Sequence, residues 1–443
     1  MYDKIKLVYS WIGPNGPIWN TELPNILNFA NKATGVKQVD SLKFFCDDLA
    51  SFFNCYDDSS EYEIYPVVSI NFNIETRPFV LPFTLAWRIP FNRYFTGNEG
   101  ILEFSHVPFH VINNVRYNSG YIIINHSIEA FMQDDYIDAL HSYFSNVHNI
   151  PLHKIIYLTG CINANELYQQ YCAIRGISDD PNNRLSIVTH PVSFTSFVSN
   201  TENEDDTPPY EPTELPSKLF LMWNRRLRSH RIELAVNLER HNLVERSLVS
   251  FSNEDLDFPG RSSLPRFDKG RLSTLFGIDD NHTQCFIDRL PLELDGETNI
   301  TAMCQDYGNV TRSYYQQSLI SLVTETNFYD NEISITEKSF KPAKEKHPFI
   351  IAGVSGVLKG MHELGFKTFS DFWDESYDNI IEHEQRMRKI MEITEYIGTW
   401  SPEQILDFRH KVKPILDHNY NVIRKASTIH AASKITNIVR NRL

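Results

Sequence analysis

Lys218-Leu-Phe-Leu-Met-Trp223 opens the second half of the chain as an unbroken apolar run. Its length and its lack of Gly and Pro predict a strand buried on both faces, as in a parallel sheet. Residues 228–240 then show a helical pattern, and residues 247–251 form a second short strand-like run. A strand, a helix and another strand in this order predict a βαβ unit with parallel strands.

The rest of the second half continues this alternation. The patterns predict strands over residues 318–324, 348–352 and 366–369, with a helix over residues 355–364 between the last two. From residue 378 onward the pattern is helical, with a break near Ser401-Pro402. This half therefore predicts an α/β domain followed by a helical tail.

The first half shows a similar alternation. Strands are predicted at residues 5–11, 121–125 and 154–159, and helical patterns follow the second and third of them. The Phe-rich region over residues 65–115 mixes strand-like runs with several prolines, and we interpret it as an insertion or an antiparallel addition. The first half is thus also predicted to be α/β with a parallel sheet.

An acidic, Pro-rich stretch over residues 199–217 divides the chain. Acidic, Pro and small polar residues cannot build a core, so we predict a linker or a long surface loop. The predicted organisation is an N-terminal α/β domain (1–198), the linker (199–217), a Rossmann-like domain (218–380) and a helical C-terminal segment (381–443). The length of 443 residues agrees with more than one domain.

The charge and the apolar pattern limit the classes of function. A formal net charge of −14 disfavours loose, non-specific binding to nucleic acids. The exception is the segment after residue 408, which contains eight Lys and Arg residues but only one acidic residue, Asp417. A solvated helix surface is favoured there over a contact with a polyanion. No apolar run reaches the roughly 18 residues that a membrane span needs, and the N-terminus lacks the pattern of a signal peptide. We therefore expect a cytoplasmic protein without a membrane partner.

The segment Ile333-Ser-Ile-Thr-Glu-Lys-Ser-Phe-Lys-Pro342 carries the strongest local signal for a binding site. Ser334 followed by Glu337 is the pattern of a capping box, which predicts the start of a helix. The N-terminus of a helix attracts phosphate, and Lys338 adds a full positive charge. Glu337 is suited to accept hydrogen bonds from the two hydroxyls of a ribose. A purely capping role for Glu337, with solvated lysines, is the alternative.

Thr336-Glu337-Lys338, preceded by Thr324-Glu325-Thr326-Asn327, resembles the donor-binding signature of the α1,3-fucosyltransferase-like family. That family has a Phe-x-Phe-Glu-Asn-Ser stretch followed by Thr-Glu-Lys. This chain keeps Glu325 but not the aromatic residues beside it, so the sugar and the base of the donor stay open. Stretches beginning at Lys338, His347 and Leu364 are also similar to glycosyltransferase-like proteins of bacteriophages and large DNA viruses. The similarity covers roughly residues 218–380.

The resemblance implies a GT-B fold, in which two Rossmann-like domains face each other across a cleft. It also implies that Glu337 binds the ribose of a nucleotide-sugar donor and that Lys338 binds its phosphates. We expect Glu325 and Thr336 to belong to the same donor site.

A second candidate site is Trp223-Asn224-Arg225-Arg226-Leu227-Arg228, at the end of the first strand of the second half. Arginines placed there can clamp a diphosphate through paired hydrogen bonds. We predict that Arg225 and Arg226 bind the donor and that Asn224 shapes the turn. The resembling family also has a phosphate-binding Arg in this region. The alternative is a surface charge run, with Arg228 and Arg231 paired to Glu233 or Glu239.

An inverting transferase needs a carboxylate that takes the proton of the acceptor. Glu129 follows the strand over residues 121–125, and it is our candidate for this base. A capping role at the following helix is its alternative. Asp255-Leu-Asp257 matches a metal-binding Asp-x-Asp only in its letters, and the six scattered cysteines form no Cys-x-x-Cys pair. We therefore expect neither a metal nor a cofactor. Gly353-Val-Ser-Gly356 fits a glycine turn near a phosphate or an ordinary connection between a strand and a helix.

These patterns predict a glycosyltransferase, of hexosyl or pentosyl type, that uses a UDP- or GDP-linked sugar. The first domain would present the acceptor hydroxyl. Hydroxymethylated pyrimidine in DNA is slightly favoured as the acceptor, in the host cytoplasm if the chain is phage-encoded; a glycan or a small carbohydrate is the alternative. A non-catalytic viral protein that binds nucleotides or polyanions is the third possibility.

Overall fold

The described residues cover most of the second half of the chain and a smaller part of the first. The computed structural model describes residues 109–127, 132–191, 215–224, 227–251, 269–292, 294 and 312–425, strands before residue 85, and residues 434, 435, 437–439 and 441. Contacts between residues divide the chain into two units, Met1–Val192 with Ser427–Leu443, and Ser193–Ala426. The predicted linker lies outside the described residues except for residues 215–217, and the predicted domain boundaries stay a prediction.

The first unit contains a six-stranded parallel sheet, in the order β4-β1-β5-β6-β7-β8. These strands are β1 (Ile5–Tyr9), β4 (Tyr62–Pro66), β5 (Phe79–Thr84), β6 (Gly120–His126), β7 (Ile155–Thr159) and β8 (Ser186–Thr189). A two-stranded antiparallel pair, β2 (Ile12–Gly13) and β3 (Gly16–Pro17), follows β1. The predicted parallel sheet of the first half is confirmed.

The interpretation of residues 65–115 as an antiparallel addition is wrong for the strands that the structure describes there, and its alternative, an insertion, stays a prediction. Strand β5 pairs in parallel with both β1 and β6, and β4 pairs in parallel with β1. Two prolines of this region lie in the described strands: Pro66 is the last residue of β4, and Pro82 lies within β5. Proline cannot donate a backbone hydrogen bond to a neighbouring strand, so its presence in a sequence argues against a strand inside a sheet. The observed pairing shows that residues 62–66 and 79–84 nevertheless form parallel strands.

The core of the first unit lies between the sheet and its helices. The described helices are α1 (Phe109–Tyr117), α2 (Asp134–His141), which continues as a π-helical turn over Ser142–Val147, and α3 (Ala164–Arg175). Two short 3₁₀ turns, Leu152–Lys154 and Pro181–Asn183, flank the entry to β7 and β8. Side chains of the helices pack with those of β6 and β7 in one buried cluster, for example Val115, Ile137, Phe144, Ile122 and Ile155. Burial on both faces explains why β6 and β7 are apolar along their length.

The second unit contains a four-stranded parallel sheet in the order β10-β9-β11-β12. Its strands are β9 (Lys218–Trp223), β10 (Leu248–Ser250), β11 (Ser318–Thr324) and β12 (Phe349–Ala352). Its helices are α4 (Ser229–Arg240), α5 (Lys269–Phe276), α6 (Asp280–Asp288), α7 (Arg312–Gln317), α8 (Glu337–Lys344), α9 (Val357–Glu363), α10 (His383–Gly398) and α11 (Pro402–Lys425). The predicted α/β class, with parallel sheets in both halves, is confirmed.

The strand order of the second sheet reverses between β9 and β11. From β9 the chain moves outward to β10 and then returns to the other side of β9, where β11 and β12 follow. In open α/β sheets, ligands bind outside the carboxyl ends of the strands at such a switch point. In this unit the switch point brings together the residues that follow Trp223 and Thr324.

The prediction of a strand over residues 366–369 is wrong. No strand covers these residues, which connect α9 to the 3₁₀ turn Glu375–Asn379. Side chains satisfy their backbone instead of a neighbouring strand. Lys367 N donates to Asn419 Oδ1 at 2.8 Å, and Phe369 N donates to Glu375 Oε1 at 2.8 Å. The predicted helical break near Ser401-Pro402 is confirmed, because α10 ends at Gly398 and α11 begins at Pro402.

None of the described helices combines the length and the apolar character that crossing a bilayer requires.

His347 is a buried titratable group at the amino-terminal end of β12. Its Nδ1 lies 2.9 Å from Ser321 Oγ, and its Nε2 donates to the carbonyl oxygen of Ser318 at 2.9 Å. Burial lowers the pKa of His347 to about 4, although the hydrogen bonds to the Ser318 and Pro348 backbones oppose this shift. The folded protein therefore keeps this ring neutral down to a pH at which an unfolded chain is already protonated.

We expect the stabilising effect of neutral His347 to be lost as the pH falls from about 6.5 towards 4. The folded pKa lies below the unfolded value, so the unfolded state binds more protons in this window and stability rises with pH. Relative to a His347→Gln variant, the free energy of unfolding of the wild type should fall by about 2 kcal/mol between pH 7 and pH 5. Urea unfolding at both pH values measures this difference, and a difference independent of pH would contradict the assignment.

Candidate functional site

The candidate site lies at the carboxyl ends of β9 and β11, where the strand order of the second sheet reverses. Thr324 ends β11, and its Oγ1 donates to Oδ1 of Asn224, which directly follows β9, at 2.5 Å. Asn224 is 5% exposed, and within the described part of the chain its Nδ2 has no hydrogen-bond partner. A buried donor of this kind marks a place where a ligand group can complete the hydrogen bonding.

Glu325, the residue after β11, binds the start of α8 through its carboxylate. It is fully buried, and Oε1 accepts from the backbone N of Thr336 at 2.9 Å and from Ser339 Oγ at 2.6 Å. Oε2 accepts from Thr336 Oγ1 at 2.7 Å and from the backbone N of Thr326 at 3.2 Å. These four hydrogen bonds use both carboxylate oxygens to fasten the start of α8 to the end of β11. Direct contact of Glu325 with a donor stays a prediction.

Helix α8 begins later than the capping-box pattern predicts. Its N-cap is Thr336, whose side chain accepts from the backbone N of Lys338, and its first residue is Glu337. Ser334 is therefore not the cap, and that part of the prediction is wrong. The start is set by the carboxylate of Glu325, 11 residues earlier, because it holds both the backbone and the hydroxyl of Thr336.

Lys338 is held over this helix start. Its Nζ donates to Thr336 Oγ1 at 3.0 Å, to Glu337 Oε1 at 3.1 Å and to Thr326 Oγ1 at 3.4 Å. The side chain is 27% exposed, so the ammonium group keeps access to solvent. A cation at the N-terminus of a helix adds its charge to that of the helix dipole. The arrangement can attract and hold an anionic group such as a phosphate.

Glu337 is an ionised hydrogen-bond acceptor beside Lys338. Burial raises the pKa of this carboxyl, but the charges of Lys338 and Lys341 and the hydrogen bond from Lys338 outweigh it, so the pKa lies below its usual value. The side chain is 18% exposed. An ionised carboxylate only accepts hydrogen bonds, and this suits it to bind two neighbouring hydroxyl groups.

The amino-terminal end of α4 supports the connection after β11. Arg228 Nη1 donates to the carbonyl oxygen of Thr326 at 2.6 Å, and Arg231 Nη2 donates to those of Thr324 and Glu325, each at 3.3 Å. His230 Nε2 donates to the carbonyl oxygen of Glu325 at 3.0 Å. Burial, followed by the charge of Arg231, lowers the pKa of His230 well below its usual value, so the ring is neutral. These side chains position residues 324–326, and the main-chain contacts of Arg228 and Arg231 were not predicted.

The connection after β12 is an ordinary strand-to-helix turn. Asp378 fills the start of α9, because its carboxylate accepts from the backbone N of Leu358 at 2.9 Å and of Lys359 at 3.0 Å. Its carbonyl oxygen accepts from the backbone N of Gly356 at 2.8 Å, and Gly356 has a positive φ of 86°. The backbone N–H groups that a phosphate would need at this helix start already donate to Asp378. Gly353-Val-Ser-Gly356 is therefore better explained as an ordinary connection between a strand and a helix than as a phosphate-binding turn.

Several predicted site residues lie outside the described residues. They are the predicted base Glu129, the predicted clamp residues Arg225 and Arg226, and the pair Asp255 and Asp257. Their roles stay predictions. Of the predicted donor-binding set, the structure brings Asn224, Glu325, Thr336, Glu337 and Lys338 together at one edge of the sheet. Asn224 reaches the others through Thr324, the residue before Glu325.

The basic surface of α11 is balanced by nearby acidic residues. Lys411 Nζ lies 2.7 Å from Asp407 Oδ2, and Lys413 Nζ lies 2.9 Å from Asp417 Oδ2, both pairs at a spacing of four residues. Lys346 also pairs with Asp417, at 2.9 Å. These pairs favour the solvated helix surface over a polyanion contact. Over the ranges that the structure describes, no group of three His, Cys, Asp or Glu side chains is placed to hold a metal ion.

Comparison with known proteins adds weak likenesses only. No protein-family model matches the chain, and no curated protein matches it. Among solved structures it is similar to the GtfA/B complex, with a TM-score of 0.37 and 12% identity, covering 82% of this chain and 57% of that chain. It is also similar to an α,α-trehalose-phosphate synthase (UDP-forming) from Burkholderia vietnamiensis, with a TM-score of 0.40 and 10% identity, covering 84% and 75%.

A third similar structure is the spinosyn rhamnosyltransferase SpnG, with a TM-score of 0.25 and 9% identity, covering 99% of this chain and 96% of that chain. Because these TM-scores and sequence identities are low, the fold assignment rests on the strand order of the two sheets.

Proposed function

We propose that the chain is a nucleotide-sugar-dependent glycosyltransferase of the GT-B type, with its donor site at the switch point of the second sheet. The observation that carries the proposal is the start of α8, where Lys338, Thr336 and Glu337 meet the end of β11. A carboxylate and a cation in adjacent positions match the two parts of a nucleoside diphosphate, its ribose hydroxyls and its phosphates.

In this proposal Lys338 and the start of α8 hold the diphosphate. Negative charge develops on the leaving phosphate as the bond to the sugar breaks, and fixed positive groups stabilise it most at that moment. Arg225 and Arg226, which directly follow Asn224, would complete the positive surface. The buried Nδ2 of Asn224 supplies a further donor at the same edge of the sheet.

Glu337 binds the ribose in this proposal, and Glu325 positions the helix start. The pKa of Glu337 is lowered, so its carboxylate is ionised at neutral pH and accepts from both ribose hydroxyls. The oxygens of Glu325 are already hydrogen-bonded to residues 326, 336 and 339. In the proposal, the carboxylate of Glu337 therefore binds the ligand, and that of Glu325 holds the start of α8 in place.

The proposed acceptor is a hydroxyl group, and hydroxymethylated pyrimidine in DNA is the acceptor to be tested first. Glu129 is the proposed base for an inverting reaction. The ion pairs of Lys411 and Lys413 with Asp407 and Asp417 give no support to a DNA contact on α11. A glycan or a small carbohydrate is therefore the acceptor to be tested beside DNA.

The test is a panel of UDP- and GDP-linked sugars incubated with the purified chain, first without an acceptor. A transferase should slowly release nucleoside diphosphate from its own donor, and mass spectrometry with hydroxymethylated DNA or oligosaccharides then identifies the acceptor. The absence of both binding and turnover across the panel would favour a non-catalytic nucleotide- or polyanion-binding protein.

Glu337→Gln should raise the donor KM about tenfold. The amide keeps one acceptor oxygen but loses the charge, and a hydrogen bond to a charged group contributes about 1.5–3 kcal/mol. Steady-state release of nucleoside diphosphate measures the effect. Glu363→Gln, at the exposed end of α9, is the matched control and should leave KM unchanged. An equal KM for wild type and Glu337→Gln would exclude the ribose assignment.

A further inference from the structure

Arg386, on α10, is the largest fully buried side chain of the described residues. It is 1% exposed, and none of its hydrogen bonds goes to a described carboxylate. Burying a cation without a paired anion is costly, and an apolar residue of similar volume would fill the same space at lower cost. Such a group therefore calls for a reason beyond packing.

The guanidinium group is held almost entirely by main-chain carbonyl oxygens. Nε donates to Gly353 at 3.1 Å, directly after β12, and Nη1 donates to Ile380 at 2.6 Å and to Ile381 at 2.9 Å. Nη2 donates to the carbonyl oxygen of Phe328, in the connection after β11. One side chain thus joins the connections that follow the neighbouring strands β11 and β12 to the segment that enters α10.

The ring of Phe328 adds a second link. Arg386 lies over this ring, 4.5 Å from its centroid, and the ring of His230 stacks on it with centroids 5.2 Å apart and planes 6° apart. His230 also donates to the carbonyl oxygen of Glu325. Residues 325–328 are therefore fixed from α4 and from α10, and Thr326, within this stretch, contacts Lys338 Nζ.

We propose that Arg386 is a positioning residue for the donor site: it locks the connection after β11 so that Thr326 and Glu325 hold Lys338 and the start of α8 in place. The inference rests on the proposed function, since it assigns Arg386 to the site where the diphosphate binds. Arg386 itself does not touch the donor; it acts through Phe328 and Thr326. Its guanidinium fork reaches three separate segments at once, which a lysine cannot do.

The experiment compares Arg386→Lys and Arg386→Met with Ile390→Ala. Ile390 is fully buried and lies one turn further along α10. Its truncation removes buried apolar volume from the same helix, but no hydrogen bond, because isoleucine has no polar side-chain atom. Two quantities are measured: the affinity for UDP and GDP, and amide hydrogen exchange over residues 325–333. Both are read under conditions in which unfolding curves show every variant to be folded.

We expect both Arg386 variants to bind the preferred nucleoside diphosphate at least tenfold more weakly than Ile390→Ala, with the Lys variant retaining part of the affinity. Amide exchange over residues 325–333 should be faster in both Arg386 variants and unchanged in Ile390→Ala. Affinities within twofold of Ile390→Ala would overturn the inference. If the wild type binds neither nucleotide, the proposed function fails, and exchange alone then decides: unchanged rates over residues 325–333 in Arg386→Met would overturn the positioning role.

Discussion

Lys338→Ala should lower kcat/KM for donor cleavage by about 100-fold or more while leaving the free energy of unfolding within about 0.5 kcal/mol of the wild type. The ammonium group is partly exposed and contacts two hydroxyls and one carboxylate at the surface of the helix start. Glu337 is the one charged partner among these three, and after the loss of Lys338 its carboxylate still has the charge of Lys341 nearby and part of its surface in solvent. The side chain therefore contributes little to the stability of the fold. In the proposed function it strongly stabilises the negative charge on the leaving diphosphate.

The split between activity and stability is what makes this variant informative. Nucleoside diphosphate release gives kcat and KM, calorimetry gives the affinity for the product, and urea unfolding gives the stability. Lys359→Ala, an exposed Lys on α9 whose loss also removes one positive charge, should leave all three unchanged. A Lys338→Ala variant with wild-type kcat/KM would remove the phosphate site from α8.

Strands β1, β6 and β7 of the first sheet and the four strands of the second sheet were predictable from the sequence, whereas β4 and β5 were not assigned. Runs such as residues 121–125 and 218–223 are apolar at every position because parallel strands are buried on both faces. Strand β8 was missed, since its four residues Ser186–Thr189 alternate between buried and half-buried positions and give too short a signal. The run over residues 366–369 has strand-like composition, yet side chains satisfy its backbone.

The candidate site was predictable where its residues lie close together in the chain. Thr336, Glu337 and Lys338 are consecutive, and a helix start after a strand predicts an anion site. The contacts that position them join distant residues: Glu325 reaches Thr336 across 11 positions, and Arg386 reaches Phe328 across 58. No local pattern marks Arg386, because its partners are backbone carbonyl oxygens, which every residue carries.

Glu325→Ala should lower the free energy of unfolding by about 3–5 kcal/mol. The fully buried carboxylate accepts two backbone N–H groups and two hydroxyls, and alanine would leave all four donors without an acceptor. Each unpaired buried donor costs about 1–3 kcal/mol, although relaxation and entering water recover part of the sum. The loss should appear as a lower urea midpoint with an unchanged slope.

Two companion variants sharpen this prediction. Glu325→Gln keeps one acceptor oxygen but turns an amide towards donors, so about half of the loss should remain. Glu363→Ala, at an exposed glutamate, should stay within about 0.5 kcal/mol of the wild type. A Glu325→Ala variant within 1 kcal/mol of the wild type would mean that the start of α8 is fixed by other contacts.

Glu325→Ala should also lose affinity for nucleoside diphosphate, because the cap residue Thr336, which Glu325 holds, is itself a partner of Lys338 Nζ. Lys338→Ala, by contrast, should lose affinity at full stability. If Glu325→Ala lost stability but bound nucleoside diphosphate as the wild type does, the helix start and the phosphate site would be separate features of the second unit. We expect Glu325→Ala to lose both stability and affinity for nucleoside diphosphate, and Lys338→Ala to lose affinity alone. This result would show that the buried carboxylate of Glu325 fixes the helix start at which Lys338 binds the phosphates.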